Sequence, residues 1–197
     1  MVLEHIQKRI AFLIPWGSAV TSVFVMTGAI SDPVNVTKLL VAGAVAGALL
    51  LVLVPRGLNE IRKNHPLFTL TIGLFVLFAF SASVFSSSPW VQNIYGVYGR
   101  NTGLLTYVVL SVFALASTLL SNEKQLTRLL VAFFSVGVIN LTYGLWALLF
   151  GDFMAWNNTY GNLLGFFGNP NFMGAFLGML FALILTYYIA PQTSLKN

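Results

Sequence analysis

Residues 66–85 read PLFTLTIGLFVLFAFSASVF and contain no charged side chain. The stretch is about as long as the ~20 residues that cross a ~30 Å hydrocarbon core as an α-helix. In lipid every backbone N–H and C=O must be paired within the protein, which leaves helices or a closed barrel. A barrel strand would show about ten residues of polar–apolar alternation. Leu74–Phe80 is an unbroken apolar run instead, and so is Leu49–Val54. The reading is therefore helical and membrane-spanning.

Further apolar segments run from Ile10 to Ile30, Val36 to Val54, Gly103 to Leu120, Leu126 to Phe150 and Pro170 to Ile189. Together with Pro66 to Phe85 they predict an all-α, polytopic transmembrane helix bundle of about six spans in a single domain. Pro15 falls in the first turns of the first segment, where a missing N–H is tolerated. Pro55 and Gly57 mark the end of the second segment, and Pro191 stops the last. Lys8 and Arg9 ahead of the first segment could be read as the basic start of a secretory signal. The run to Ile30 is too long for that, and no small-residue cleavage site closes it, so a retained first helix is preferred.

Composition agrees. Of 197 residues, 57% are hydrophobic and 8% charged, against about a quarter charged in soluble domains. So few charges could not cover a water-facing surface. The absence of cysteine excludes disulfides, thiolate metal sites and cysteine nucleophiles. With His5 and His65 as the only histidines, no metal site and no cofactor are expected. The net charge of +5 sits in short loops, where topology and anionic headgroups account for it without nucleic acid.

The loops set an orientation. With the N-terminus inside, the inner segments hold Lys8, Arg9, Arg56, Arg62, Lys63, Lys124, Arg128 and Lys196, and the outer ones only Lys38 and Arg100. This bias predicts both termini in the cytoplasm. The outer side also takes Asp32 and Asp152. The inner loop from Pro55 to His65 reads as plain topology. Two outer loops, Ser86 to Asn101 and Gly151 to Asn169, are rich in aromatic, Gly and Asn residues. Trp90, Tyr95, Tyr98, Trp156 and Tyr160 suit a headgroup layer, or the loops shape a site for an amphiphile.

Gly43 and Gly47, and again Gly174 and Gly178, form G-x-x-x-G pairs and predict close helix contacts in a bundle or oligomer. No charged residue is expected deep in a span, which disfavours a proton-coupled carrier. No Ser-His-Asp set, Walker loop or dinucleotide fingerprint is present, and N-x-T matches at Asn35, Asn140 and Asn157 are weak signals.

Two local motifs remain. Arg100, within Tyr98-Gly99-Arg100-Asn101-Thr102-Gly103, is the one arginine on the predicted outer side. Its planar fork of donors suits phosphate or pyrophosphate, though on composition alone snorkelling to lipid phosphates is the preferred reading. In Gly168-Asn169-Pro170-Asn171, Asn169 can N-cap the last helix with Pro170 at its first position. The second asparagine, Asn171, and a helix N-terminus at the outer mouth also suit an anion.

The pairing of YGRNTGLLTY (98–107) with GFFGNPNFMGAFL (165–177), one apolar hairpin apart, resembles the O-antigen ligase and polymerase-like family. Its members are polytopic proteins of the bacterial inner (cytoplasmic) membrane. They transfer glycans from an undecaprenyl-pyrophosphate carrier at the outer face, and some relatives are labelled bicarbonate-transport proteins. The resemblance implies a metal-independent, inverting glycosyltransferase-type reaction in which arginines grip the pyrophosphate and a basic residue activates the acceptor. It carries over Arg100 as a pyrophosphate contact, and Asn169 and Asn171 as shapers of the same mouth. It also implies a second half bearing further spans and a large outer loop with histidine. The chain is thus expected to be the N-terminal portion of a longer protein, or a shortened relative without the catalytic apparatus. Implied partners are membrane lipids, a polyprenyl-pyrophosphate-linked glycan and other membrane subunits. The alternatives are a non-catalytic subunit of a larger complex and, behind it, a small-solute transporter.

Overall fold

The computed structural model describes residues 2–28, 32–54, 56–120, 122–154 and 161–189. Ile30, Pro55, Trp156, Asn157, Tyr160, Pro191 and Lys196, named above, lie outside these residues. Every regular element among the described residues is helical: α1 Val2–Val23, α2 Asn35–Leu53, α3 Gly57–Asn64, α4 Pro66–Phe85, α5 Trp90–Tyr95, α6 Leu104–Ser117, α7 Glu123–Phe150, a 3₁₀ turn Gly165–Phe167, and α8 Pro170–Ile189. The chain is an all-α bundle. Among the described residues four helices, α2, α4, α7 and α8, are long and apolar enough to cross a membrane.

The helices stack in a row: α4 on α6, α6 on α2, α2 on α1, α1 on α7 and α7 on α8. The best-packed core lies at one end, where Ile6, Ile10, Leu53, Ile61, Ala116 and Leu119 are buried together. These belong to the start of α1, the end of α2, α3 and the end of α6 with the residues just past it, so all four meet there. By contrast α4, the segment that decides the fold in the sequence, buries no residue at all. Phe78 is 68% exposed and Phe85 87%. A helix this apolar on every face is one that another apolar surface or lipid must cover.

The ends of the elements differ from the sequence reading in three places. The first helix runs from Val2 to Val23, not from Ile10 to Ile30. It starts early because Ile6 and Ile10 are buried on one face, while Glu4 and Lys8 pair at 2.8 Å on the exposed one. Pro15 is therefore interior to the helix rather than in its first turn, and it is fully buried. Second, α6 has 14 residues, about 21 Å at 1.5 Å per residue, shorter than the segment Gly103 to Leu120. Third, the segment between α2 and α4 contains α3, an amphipathic helix that buries Gly57 and Ile61 and exposes Arg62 and Lys63. Its apolar positions find a partner only through tertiary contact, so loop length alone does not show it.

The G-x-x-x-G pairs do not make the predicted contacts within the chain. A Cβ built on Gly43, Gly47, Gly174 or Gly178 would meet nothing within 4 Å. The close approaches are at Gly17, where a Cβ would lie 2.5 Å from Val45, and Gly137, where it would lie 2.6 Å from Leu180. Spacing identifies a small-residue face but not what lies opposite it.

Charge is segregated along the bundle. Lys8, Arg9, Arg56, Arg62, Lys63, Lys124 and Arg128 are all exposed at or beside the end holding the buried core. Asn122 and Gln125 close a reciprocal capping box at the same end, where α7 begins. The opposite end carries Asp32, Lys38, Arg100 and Asp152.

Candidate functional site

Arg100 sits near the tip of a loop that its glycines close. The backbones at Gly96 and Gly103 cross so tightly that a Cβ on Gly96 would lie 2.3 Å from the Thr102 nitrogen. One on Gly103 would lie 2.4 Å from the Gly96 nitrogen. Gly96 also has φ +89, a conformation that L side chains avoid. Within the loop, Arg100 N–H donates to Val97 O at 3.0 Å, Asn101 takes φ 49, and the Thr106 hydroxyl donates to Asn101 O. The short helix α5 before the loop is tied to α4 by Asn93, whose Nδ2 donates to Ser83 O at 3.0 Å and Ser88 O at 3.1 Å.

The first turn of α2 holds the loop from the other side. Asp32 is buried, and its Oδ1 accepts from Val34 N–H at 3.2 Å and Asn35 N–H at 2.8 Å. This carboxylate satisfies donors that a helix start leaves free and complements its dipole. Asn35 Nδ2 then reaches Gly99 O at 2.9 Å.

Lys38, one turn further on, is half-buried. Its ammonium donates to Ser22 O near the end of α1 and lies 5.2 Å from the centroid of the Phe167 ring, a cation–π contact. Lys38 thus joins α1, α2 and the turn before α8. Arg100 and Lys38 line one crevice of about 200 Å³ with Thr21, Asn35, Asn101 and Thr106. The crevice offers two cations, a pair suited to an anion with several oxygens, while Thr21, Asn35 and Thr106 give their donors to Gly17 O, Gly99 O and Asn101 O.

The second sequence motif plays a different part. Asn169 Oδ1 accepts from Asn171 N–H at 2.8 Å, and Asn169 O accepts from Met173 N–H at 3.0 Å. Asn169 is thus the N-cap of α8, with Pro170 first in the helix. Neither Asn169 nor Asn171 is among the residues lining the Arg100 crevice. The motif reaches the site through its preceding residues. Gly168 presses on Val34, where a Cβ would come within 2.6 Å, and Phe167 lies under Lys38.

Asn140 anchors that segment from within the bundle. It is fully buried in α7, its Nδ2 donates to Val136 O at 2.9 Å, and its Oδ1 accepts from Phe166 N–H at 2.9 Å. Nearby, Tyr143 donates its hydroxyl to Asp152 at 2.6 Å.

Sequence reasoning places Arg100 on the outer side but does not single out Lys38 or Asn140. A signal for both exists, since each is a polar residue inside an apolar helical segment. Trp90, Tyr95 and Tyr98 are exposed around the loop.

No family model, curated protein or solved structure matches this chain.

Proposed function

We propose that the chain is a membrane protein of the lipid-linked glycan ligase type whose outer end binds the pyrophosphate of a polyprenyl-linked glycan. The observation that supports this reading is the crevice that gathers Arg100 and Lys38 at the end opposite the basic cluster. In this reading α1, α2, α4, α6, α7 and α8 are spans, both termini face the cytoplasm, and the membrane is the bacterial inner membrane. The 14 residues of α6 are accommodated by local thinning of the bilayer, at a cost of fractions of a kcal/mol per Å.

In such a transfer the acceptor hydroxyl attacks the anomeric carbon and the bond to the pyrophosphate oxygen breaks. Arg100 and Lys38 would hold the negative charge that builds on the leaving group. Binding, rather than the proton transfer, is the part assigned to this chain. His5 and His65 belong to the end remote from the crevice. Asn169 acts as the cap that sets the start of α8, and Asn171 supplies the N–H it captures, so neither is proposed as a direct contact.

The test is direct binding of undecaprenyl pyrophosphate to the chain in nanodiscs. Arg100→Ala and Lys38→Met, the latter keeping an apolar stem over Phe167, should each weaken binding by about tenfold or more, the scale of a lost charge-assisted contact. Unchanged affinity in both variants would remove the reading.

A second reading, a non-catalytic subunit of a larger complex, is favoured by the open glycines Gly174 and Gly178 on α8 and the unburied α4. Stoichiometric membrane partners after gentle purification would support it, and a monodisperse monomer would count against it.

A further inference from the structure

Among the described residues Lys38 has no acidic partner, since the one ion pair there joins Glu4 and Lys8 at the far end of the bundle. Its ammonium is held instead by Ser22 O and by the face of the Phe167 ring, 5.2 Å away. The 3₁₀ turn Gly165–Phe167 therefore decides where this cation stands. That turn is anchored on α7, where Phe166 N–H donates to Asn140 Oδ1 at 2.9 Å. Gly165 lies against the same oxygen, and a Cβ there would come within 2.7 Å of it. Asn140 is itself fixed, being fully buried with its Nδ2 donating to Val136 O at 2.9 Å. On either side of the anchored N–H, Phe166 packs on Tyr143 with ring centroids 4.7 Å apart, and Phe167 packs on Phe176 at 5.1 Å. Asn140 does not line the crevice that Arg100 and Lys38 share.

We propose that Asn140 is a positioning residue for the anion crevice. By holding the Phe166 N–H it sets the Phe167 ring against the Lys38 ammonium, and so sets where that cation stands beside Arg100. The inference rests on the headgroup reading above for its ligand, but not for its geometry. The path runs from an amide oxygen to a backbone N–H, along one residue of backbone, and through a cation–π contact that is worth more when partly desolvated. Lys38 is half-buried, so the ring carries weight that bulk water would otherwise take away. A plain packing role for position 140 would need no amide oxygen, and an apolar residue of similar volume would fill it.

The experiment uses the full chain in phosphatidylcholine nanodiscs, with lysine labelled at its ε-carbon for NMR and inorganic pyrophosphate as the binding probe. The Lys38 ε-methylene signal is the one that Lys38→Met removes. In the parent the Phe167 ring face should shift it upfield of the other lysines, and Phe167→Leu should abolish that shift. Asn140→Leu should abolish it too and weaken pyrophosphate about threefold to tenfold, the range of one cation–π contact. Gly165→Ala, which pushes the turn off the Asn140 oxygen, should do the same and carries the test if Asn140→Leu folds poorly. Ile61→Ala, at a buried position in the opposite end, is the control for lost stability alone and should leave signal and affinity as in the parent. If Asn140→Leu and Gly165→Ala both keep the upfield shift, the proposal is overturned. Loss of the shift in Ile61→Ala would also overturn it, and so would loss in Asn140→Leu with unchanged binding of a pyrophosphate that Arg100→Ala weakens. If Arg100→Ala and Lys38→Met both leave pyrophosphate binding unchanged, the headgroup reading fails instead, and the Lys38 signal still decides whether Asn140 places the cation.

Discussion

Asn35 Nδ2 donates to the backbone carbonyl of Gly99 at 2.9 Å, across 64 positions of the chain. This bond fixes the Arg100 loop to the first turn of α2, the turn that also carries Lys38. The two cations come from distant parts of the sequence, and Asn35 sets their separation. Asn35→Ala should leave the helices intact and cost about 1–3 kcal/mol, since it removes the bond to Gly99 and also the amide's contact with the buried Asp32 carboxylate at 3.2 Å. Hydrogen exchange at residues 97–102 should quicken while exchange in the middle of α2 stays slow. Equal protection of the loop in both proteins would show that the bond does not hold it.

Gly103 and Gly174 should respond in opposite ways to the same change. A Cβ on Gly103 meets backbone at 2.4 Å, whereas one on Gly174 meets nothing within 4 Å. Gly103→Ala should destabilise by about 2 kcal/mol or more through overpacking. Gly174→Ala should be neutral or stabilising by up to ~1 kcal/mol from helix propensity. Thermal unfolding in detergent separates the two, and a stable Gly103→Ala protein would mean that the loop does not close as described.

Asn140 is buried and bonds both Val136 O and Phe166 N–H. Asn140→Leu removes the acceptor and leaves the Phe166 N–H without its partner, at about 1–3 kcal/mol. The expected signature is a lower melting temperature with looser exchange at residues 165–168. If stability rose instead, apolar packing at this site would outweigh the hydrogen bonds.

Glu4 offers a pH test. The hydrogen bond from Lys8, with the charge of that ammonium, holds the Glu4 carboxyl below its ordinary value. A lowered folded-state pKa means the pair stabilises above the unfolded carboxyl value, and the contribution is lost as pH falls through the folded one. The pair is exposed, so the effect is small and screened by salt. Glu4→Gln should therefore be slightly less stable than the parent at pH 7, with the difference vanishing under acid or in high salt. A gap that persists at low pH would point to another role for Glu4.

Three of the long apolar helices are legible in the sequence almost to the residue. The segments beginning at Pro66 and Pro170 are apolar over a full membrane thickness and start with proline, which favours the first turn of a helix. Val36 to Val54 likewise matches α2 within a residue. What stays hidden depends on partners. The early start of α1 depends on Ile6 and Ile10 being buried with Leu53 and Ile61, and α3 forms on the same surface. The partners of Gly17 and Gly137 could not be guessed from spacing. At the site, Arg100 is visible as a lone outer arginine and Asn169 as a cap. Lys38 reads only as loop charge, because its place in the crevice depends on the long-range Asn35–Gly99 contact and on Phe167.

In the proposed reading the bundle sits in lipid with its basic end inside and the Arg100 crevice outside. The chain contains no cysteine, so single substitutions can be labelled without background. Tyr98→Cys and Lys63→Cys, both at exposed positions, would be treated in intact spheroplasts with a membrane-impermeant maleimide. The expected result is labelling of Tyr98→Cys at once and of Lys63→Cys only after permeabilisation. Labelling of both from the same side, or Lys63→Cys reacting first, would contradict it.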